Sequence, residues 1–199
     1  MVLATFNPDK RRELEGLIAL PGLELVTLAE VPGATAPEET GATLEENARL
    51  KAEAACALTG LPALADDTGL EVDALHGAPG VHTSRFAGPD ASYADNVRAL
   101  LDALAHVPPA ARGARFRTVC VVCMPDGDSF ASEGVLSGSI ALAPRGTHGF
   151  GYDPVFELPG GRTLAELADD EKAALSHRAR AVRALAPQFA RAWEHRQTS

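Results

Sequence analysis

Along the chain, the spacing of apolar residues switches repeatedly between strand-like and helix-like periods. Residues 2–5 read as a short buried strand. Asn7 is a good N-cap and Pro8 a good first helical residue, after which Leu14, Leu17 and Ile18 supply a helical stripe that Pro21-Gly22 ends. Leu23 to Leu28 predict a second strand, and Pro32 to Gly41 a polar loop. Thr43 and Glu46 form a capping box for a long helix to about Thr59, with Gly60 as its stop. Leu61-Pro62-Ala63-Leu64-Ala65 reads as a buried strand giving way to a loop at Asp66-Asp67-Thr68-Gly69. Gly77 to Gly88 is turn-rich and irregular, and Ser92 to about His106 is helical. Phe116 to Met124 and Ser129 to Leu142 predict long strands joined by a hairpin at Pro125 to Asp128. Gly146 to Gly161 reads as a loop around a short strand at Val155-Phe156. From Ser176 onward the tail is helical, kinked or restarted at Pro187. Early alternation of strands and helices with a late hairpin predicts an α/β fold, a mixed sheet flanked by helices, as one domain or two small lobes sharing a core.

Composition narrows the function classes. A net charge of −9 argues against a protein that coats nucleic acid, which needs a basic face to displace counterions. It leaves room for a small anionic ligand where positive groups converge. The N-terminus reaches charge by Asp9, too early for the apolar core of a signal peptide, and no apolar window has the length of a membrane span. With an odd number of cysteines, three, these features predict a cytoplasmic protein. Cys120 and Cys123 face opposite sides of a predicted strand and read as small buried hydrophobes rather than a metal or redox pair.

The residues with chemical potential fall into four groups. Asp66 and Asp67 end an apolar run, and buried carboxylates require a cation, a water to activate or an arginine. Lys10, Arg11 and Arg12 crowd a helix start that ordinarily prefers acids, an arrangement that suits an external anion held by free backbone N–H groups, Thr5, Asn7 and Lys10. Asn47 and Lys51 share a helix face, with Glu38 and Glu39 in the loop before it. Gly149-Phe150-Gly151-Tyr152-Asp153-Pro154 can present a ring to a planar ligand and an acid to a base edge, and Lys172, Ser176, His177 and Arg178 bring donors onto a short stretch. Each group also has a purely structural reading: an Asx turn, a solvated basic turn, a surface lysine, a buried phenylalanine, a helix cap.

Taken in order, the motifs resemble the inosine triphosphate pyrophosphatase family (Ham1-like), which hydrolyses non-canonical purine nucleoside triphosphates to monophosphate and pyrophosphate. The resemblance runs from Leu3-Ala4-Thr5-Phe6-Asn7-Pro8-Asp9-Lys10 through Glu38-Glu39-Thr40-Gly41, Glu46-Asn47-Ala48, Ala65 to Gly69, Gly77 to Gly80 and Gly149 to Pro154, ending at Ser176-His177-Arg178. It implies one such domain over residues 1–199, an elongated mixed sheet in two lobes around a central cleft, and a homodimer. It also implies Mg²⁺ on Glu38 and Asp67, with Asp67 the general base and Asp66 in support. The triphosphate would lie on Thr5, Phe6, Asn7, Pro8, Asp9 and Lys10 with Lys51 and Thr68. The base would meet Phe150, Gly151, Tyr152, Asp153, Lys172, His177 and Arg178. The family commonly has glycine in place of Phe6, often glycine in place of Asp9, and more often serine in place of Thr68. The substrates implied are ITP, dITP and XTP, with no nucleic acid or membrane partner. Two other readings use the same residues: a phosphotransferase with an aspartate nucleophile, suggested by Asp67-Thr68-Gly69-Leu70, and a purine nucleotide sensor without turnover. The products tell them apart: pyrophosphate, phosphate or none.

Overall fold

The computed structural model describes residues 1–18 and 20–197, the last three of these by backbone alone. Its elements are β1 (Val2–Leu3), α1 (Pro8–Leu17), β2 (Val26–Thr27), α2 (Leu44–Thr59), β3 (Ala63–Val72), β4 (Pro79–Gly80), α3 (Tyr93–Ala103), β5 (Gly113–Cys123), β6 (Ser129–Ile140), β7 (Phe156–Glu157), α4 (Asp169–Leu175) and α5 (His177–Gln197). The strands form one sheet in the order β2-β1-β3-β5-β6-β7, with β4 on β3. It is mixed: β1 runs parallel to β2 and β3, whereas β4 and β7 pair antiparallel with β3 and β6. This is the α/β fold that the alternation of periods predicts.

Local chemistry explains the boundaries. Asn7 caps α1 by accepting from the amides of Asp9 and Lys10, with Pro8 opening the helix. Thr43 and Glu46 make their reciprocal capping bonds on α2, and Gly60 closes it in a left-handed conformation at φ 67°. Ser92 caps α3, which ends at Ala103, short of the expected His106, where the buried Arg112 guanidinium draws in the carbonyls of Leu104, Val107 and Ala141. The strand expected over 23–28 shrinks to Val26–Thr27 because its partner β1 offers only Val2 and Leu3 for pairing. A short helix, α4, occupies 169–175, where no helix was expected. Helix α5 runs through Pro187 without restarting; the expected helical tail at 198–199 lies outside the described residues.

The largest departure from the sequence reading is at the acids. Asp66 to Gly69 form no loop but sit inside a ten-residue strand. Strand β3 lies between β1 and β5; β1 pairs with it at Ala63 and Leu64 and β4 at Leu70 and Glu71, so the acids stand between these two pairings, and Leu70 and Val72 continue the buried pattern beyond them.

The chain forms two compact units. The first comprises 1–67, 118–134 and the chain from 177 on; the second comprises 68–117 and 135–176. The core of unit 1 gathers Leu3, Leu14, Leu64, Val122, Leu185 and Phe189. Unit 2 is built on Leu70, Leu100, Phe116, Ile140, Phe156 and Leu164. Cys120 and Cys123 are buried in unit 1 as expected, and burial pushes the Cys123 thiol up to about 11. Among the described residues no helix is long and apolar enough to cross a membrane.

Candidate active site

Consecutive residues of a strand point to opposite sides, so β3 sends its two buried acids into different surroundings. Asp66 Oδ2 accepts from Arg178 Nε at 3.1 Å and Nη2 at 3.0 Å, and Lys10 Nζ lies 3.2 Å away. Arg178, fully buried at the start of α5, also bonds Glu13 of α1. Burial alone would raise the Asp66 pKa, but Lys10 and Arg178 hold the carboxyl far below the usual range. Asp66 is a fixed anion that ties α1, β3 and α5 together.

Asp67 is held differently. Its Oδ1 accepts from Lys51 Nζ of α2 at 2.7 Å, and the same ammonium reaches Glu39 Oε1 at 3.1 Å. Burial raises the Asp67 pKa, and Lys51 and Lys10 pull it back only in part, leaving it above the ordinary value. Lys51, desolvated as well, is nevertheless held above its ordinary value by Asp67, Asp66 and Glu39. Two adjacent carboxyls displaced in opposite directions suit the division of labour between a charge anchor and a proton acceptor.

The β1–α1 junction corrects the sequence reading of a turn with free amides. The side chain of Asn7 takes the amides of Asp9 and Lys10, and Thr5 Oγ1 accepts from the Asn7 amide. The crowded cations also have internal partners: Lys10 turns to Asp66, Arg11 to Glu15 and Arg12 to Asp9. Phe6 projects outward at 42% exposure, and Pro8 fills the first helical position.

In unit 2, Asp153 organises the glycine-flanked loop. Its Oδ2 accepts from the Phe150 amide at 2.8 Å and from Lys172 Nζ of α4 at 2.5 Å. A Cβ on Gly149, whose φ is +72°, would fall 2.1 Å from the same oxygen, so glycine is required there. Lys172 stands 5.0 Å from the centre of the Phe150 ring, a cation–π distance, and Tyr93 tilts against that ring at 5.8 Å. Phe150, Gly151, Tyr93, Val97, Leu101 and Pro154 help line a cavity of 520 Å³. Tyr152, expected against the base, instead lies in the unit 2 core with its hydroxyl on the Thr83 carbonyl. Thr68 is half-buried in β3.

His177 opens α5 in unit 1, buried, with Nδ1 2.6 Å from Thr118 Oγ1 of β5. Arg178, assigned to the base by resemblance, has its guanidinium on Asp66 and Glu13. Glu38, assigned to the metal, is exposed, and it is Glu39 that reaches toward Asp67 through Lys51. Sequence reasoning missed Glu13 and Thr118 and left Glu39 without a role. Glu13 carried a signal, since it shares a face of α1 with Lys10 three residues earlier. Thr118, within an apolar run, carried none.

Comparison with known proteins gives this geometry a family. A model of the Ham1 family matches residues 1–188. The dITP/XTP pyrophosphatase of Symbiobacterium thermophilum is 52% identical over 182 residues, covering 92% of this chain and 90% of its own. That of Thermus thermophilus is 50% identical over 186 residues, covering 93% and 89%. Among solved structures, a HAM1 protein from Coxiella burnetii superposes with a TM-score of 0.84 at 42% identity, covering 96% of this chain and 98% of that one. The Mycobacterium abscessus nucleoside-triphosphatase / dITP/XTP pyrophosphatase gives 0.75 at 44%, covering 94% and 98%. The buried acid pair on β3, its lysine and arginine partners and the aromatic glycine loop therefore stand in a chain that belongs to the Ham1 family.

Proposed function

We propose that this protein hydrolyses non-canonical purine nucleoside triphosphates, dITP, ITP and XTP, to the monophosphate and pyrophosphate. The observation that carries the reading is the opposed setting of Asp66 and Asp67: one carboxylate locked by Lys10 and Arg178, the other raised in pKa beside Lys51. Relatives at about half identity that bear the name dITP/XTP pyrophosphatase support it. A nucleotide sensor would need the ligand contacts but not a carboxyl tuned as a base.

In this reading Asp67 accepts the proton of the attacking water, and Asp66 stays charged and fixes Lys10 and Arg178. Lys10 and Lys51 stabilise the charge that grows on the phosphate oxygens. Thr5, Phe6, Asn7, Pro8 and Asp9 shape the turn that approaches the phosphates, assisted by Thr68. Phe150 and Gly151 offer a stacking surface to the purine. Lys172, held by Asp153, supplies a positive donor, as does His177 oriented by Thr118.

The carboxylates joined here are those of Asp67 and Glu39, hard oxygen donors bridged by the Lys51 ammonium, and the exposed Glu38 adjoins Glu39 in the chain. Among the described residues no three acids or histidines form a cage. That composition fits Mg²⁺, which is commonly held by one or two carboxylates together with substrate phosphates. Asp67 with Glu38 or Glu39 would hold it, and when bound it neutralises and orients the phosphates. The reading includes a cytoplasmic location and a homodimer, and sedimentation of the purified protein tests the dimer directly.

Incubation with ITP and Mg²⁺ followed by product analysis tests the function. Equimolar IMP and pyrophosphate are expected. Inorganic phosphate as first product would favour the phosphotransferase reading, and binding without products the sensor.

A further inference from the structure

We propose that Asn47 is a positioning residue for this reaction, fixing the acid-bearing segment 38–41 through the amide of Gly41. The inference rests on the reading above in that the acids of this segment serve the metal and phosphates.

Asn47 lies in the first turns of α2 and is completely buried. Its Oδ1 accepts from the Gly41 amide at 2.8 Å. Position 41 admits nothing larger than glycine without disturbing this bond, because a Cβ there would lie 2.6 Å from Asn47 Oδ1 and 2.9 Å from the Asn47 amide. The next two amides, of Ala42 and Thr43, are taken by Glu46 Oε2 at 2.6 and 3.1 Å. The first turns of α2 therefore seize three successive backbone donors of the incoming segment, and only the Asn47 bond is made by a fully buried side chain.

One turn further along the same helix face stands Lys51, bonded to Glu39 and to Asp67. Asn47 grips the backbone two residues after Glu39, and Lys51 grips the Glu39 carboxylate itself. Two side chains four residues apart on one rigid helix thus set the distance between the acid segment and the acid strand.

The identity of the residue argues for more than stability. The Gly41 N–H requires an acceptor, which fixes Oδ1 toward the segment and turns Nδ2 away. Nδ2 is buried and has no hydrogen-bond partner among the described residues. Asn47 thus satisfies the Gly41 N–H while leaving its own Nδ2 unmet, so the net gain in hydrogen bonding is small and the worth of the Oδ1 bond lies in where it holds the segment.

Three variants decide the matter: Asn47→Ala removes the acceptor, Asn47→Asp keeps it, and Gly41→Ala displaces it from the other side. Hydrogen exchange of the residue 41 amide is measured in metal-free protein, and Mg²⁺ activation is measured with ITP. Asn47→Ala is expected to lose protection at residue 41 and to raise the half-activating Mg²⁺ concentration about tenfold or more, as loss of an outer partner of metal ligands does. Its kcat at saturating Mg²⁺ should stay within about threefold of wild type. Asn47→Asp should preserve both readouts. Gly41→Ala should lose the same protection and Mg²⁺ response as Asn47→Ala, with a further effect of its own because the added methyl also lies 2.7 Å from Glu46 Cβ. Wild-type exchange at residue 41 or wild-type Mg²⁺ response in a folded Asn47→Ala protein would overturn the proposal, as would loss of Mg²⁺ response in Asn47→Asp. If Asn47→Ala does not fold, Gly41→Ala and Asn47→Asp carry the same comparison. If wild-type protein leaves ITP intact, the functional reading falls, and unchanged exchange at residue 41 would then overturn the positioning role by itself.

Discussion

Asp66 and Asp67 are joined by one peptide bond, yet their carboxylates make direct ion pairs with different cations: Asp66 with Arg178 at 3.0 Å and Lys10 at 3.2 Å, Asp67 with Lys51 at 2.7 Å. Strand geometry makes this possible, since neighbouring side chains leave the backbone on opposite sides. A turn, which the sequence suggested, would have let both acids reach the same solvent. The strand instead gives one residue a fixed charge and the other a tunable one.

The consequence for catalysis is sharp. Asp67→Asn keeps the shape and one acceptor oxygen but removes the base. With ITP and saturating Mg²⁺, kcat should fall by about 10²-fold or more, in line with the worth of a positioned general base. Asp67→Asn turnover close to wild type would place the base elsewhere.

A second test reads the electrostatics directly. Burial raises the Asp67 pKa and Lys51 offsets part of that rise. Replacing the ammonium in Lys51→Met should therefore push the Asp67 carboxyl higher still. Carbon-detected NMR titration of metal-free protein should find the wild-type Asp67 midpoint above the ordinary aspartate value of about 3.9, and that of the variant above the wild type. The sign for stability follows. A carboxyl raised by folding contributes stability below its unfolded pKa, and this contribution is lost as pH rises through the folded value. A lower midpoint in Lys51→Met would contradict the arrangement.

Asp66 has the opposite sign. Its folded pKa is depressed by Lys10 and Arg178, against the rise that burial alone would cause. It therefore stabilises the protein above its unfolded pKa of about 3.9, and the stability drains away as pH falls toward the folded value. Arg178→Met leaves Asp66 buried with one of its two cations gone, and breaking such a pair costs about 3–5 kcal/mol. Adding Asp66→Asn should recover a large part of the loss by removing the uncompensated charge. Denaturant unfolding of the single and double variants at pH 7 measures both. A double variant less stable than Arg178→Met would show that Asp66 is not the main burden on the arginine.

How much of this was legible in the sequence depended on the range of the interactions. The caps at Asn7, Thr43 and Gly60 were readable because a cap is decided within four residues. The acid pair was visible as a motif, but its placement in a strand was not, because the cations that make burial tolerable come from afar: Arg178 is 112 residues from Asp66. The same distance hid the engagement of Arg178, which resemblance assigned to the base. The core setting of the Tyr152 side chain was not readable either, because its hydroxyl's partner, the Thr83 carbonyl, lies 69 residues away. Glu39 and Glu38 look alike in sequence, and only the direction in which Lys51 leaves α2 separates the half-buried acid from the exposed one. The basic turn at Lys10 to Arg12 suggested an anion, whereas the internal partners of these cations, Asp66, Glu15 and Asp9, were not read from the sequence.

Base selection is the remaining test, and it bears on unit 2. Asp153 holds Lys172 at 2.5 Å, and Lys172 in turn stands 5.0 Å from the Phe150 ring centre, so the ammonium is fixed beside the surface on which a purine would stack. Hypoxanthine and xanthine both carry a carbonyl at position six, which a fixed cationic donor can bond. Adenine carries an amine there, so donor would meet donor and buried polar groups would go unpaired. Sites built on such a bond can reject the wrong partner by about 10⁴-fold, beyond what shape alone provides. Guanine shares the carbonyl and differs by its two-amino group, so its exclusion depends on fit and should be weaker. The expected order of kcat/KM is ITP and XTP highest, then GTP, then ATP. Lys172→Met should narrow the gap between ITP and ATP chiefly by lowering the ITP value, since the bond it removes is made only to the carbonyl. Steady-state rates on the four nucleotides with wild-type and variant protein check this. ATP hydrolysis within about tenfold of ITP in the wild type would contradict the donor assignment, because a margin that small is within reach of shape alone.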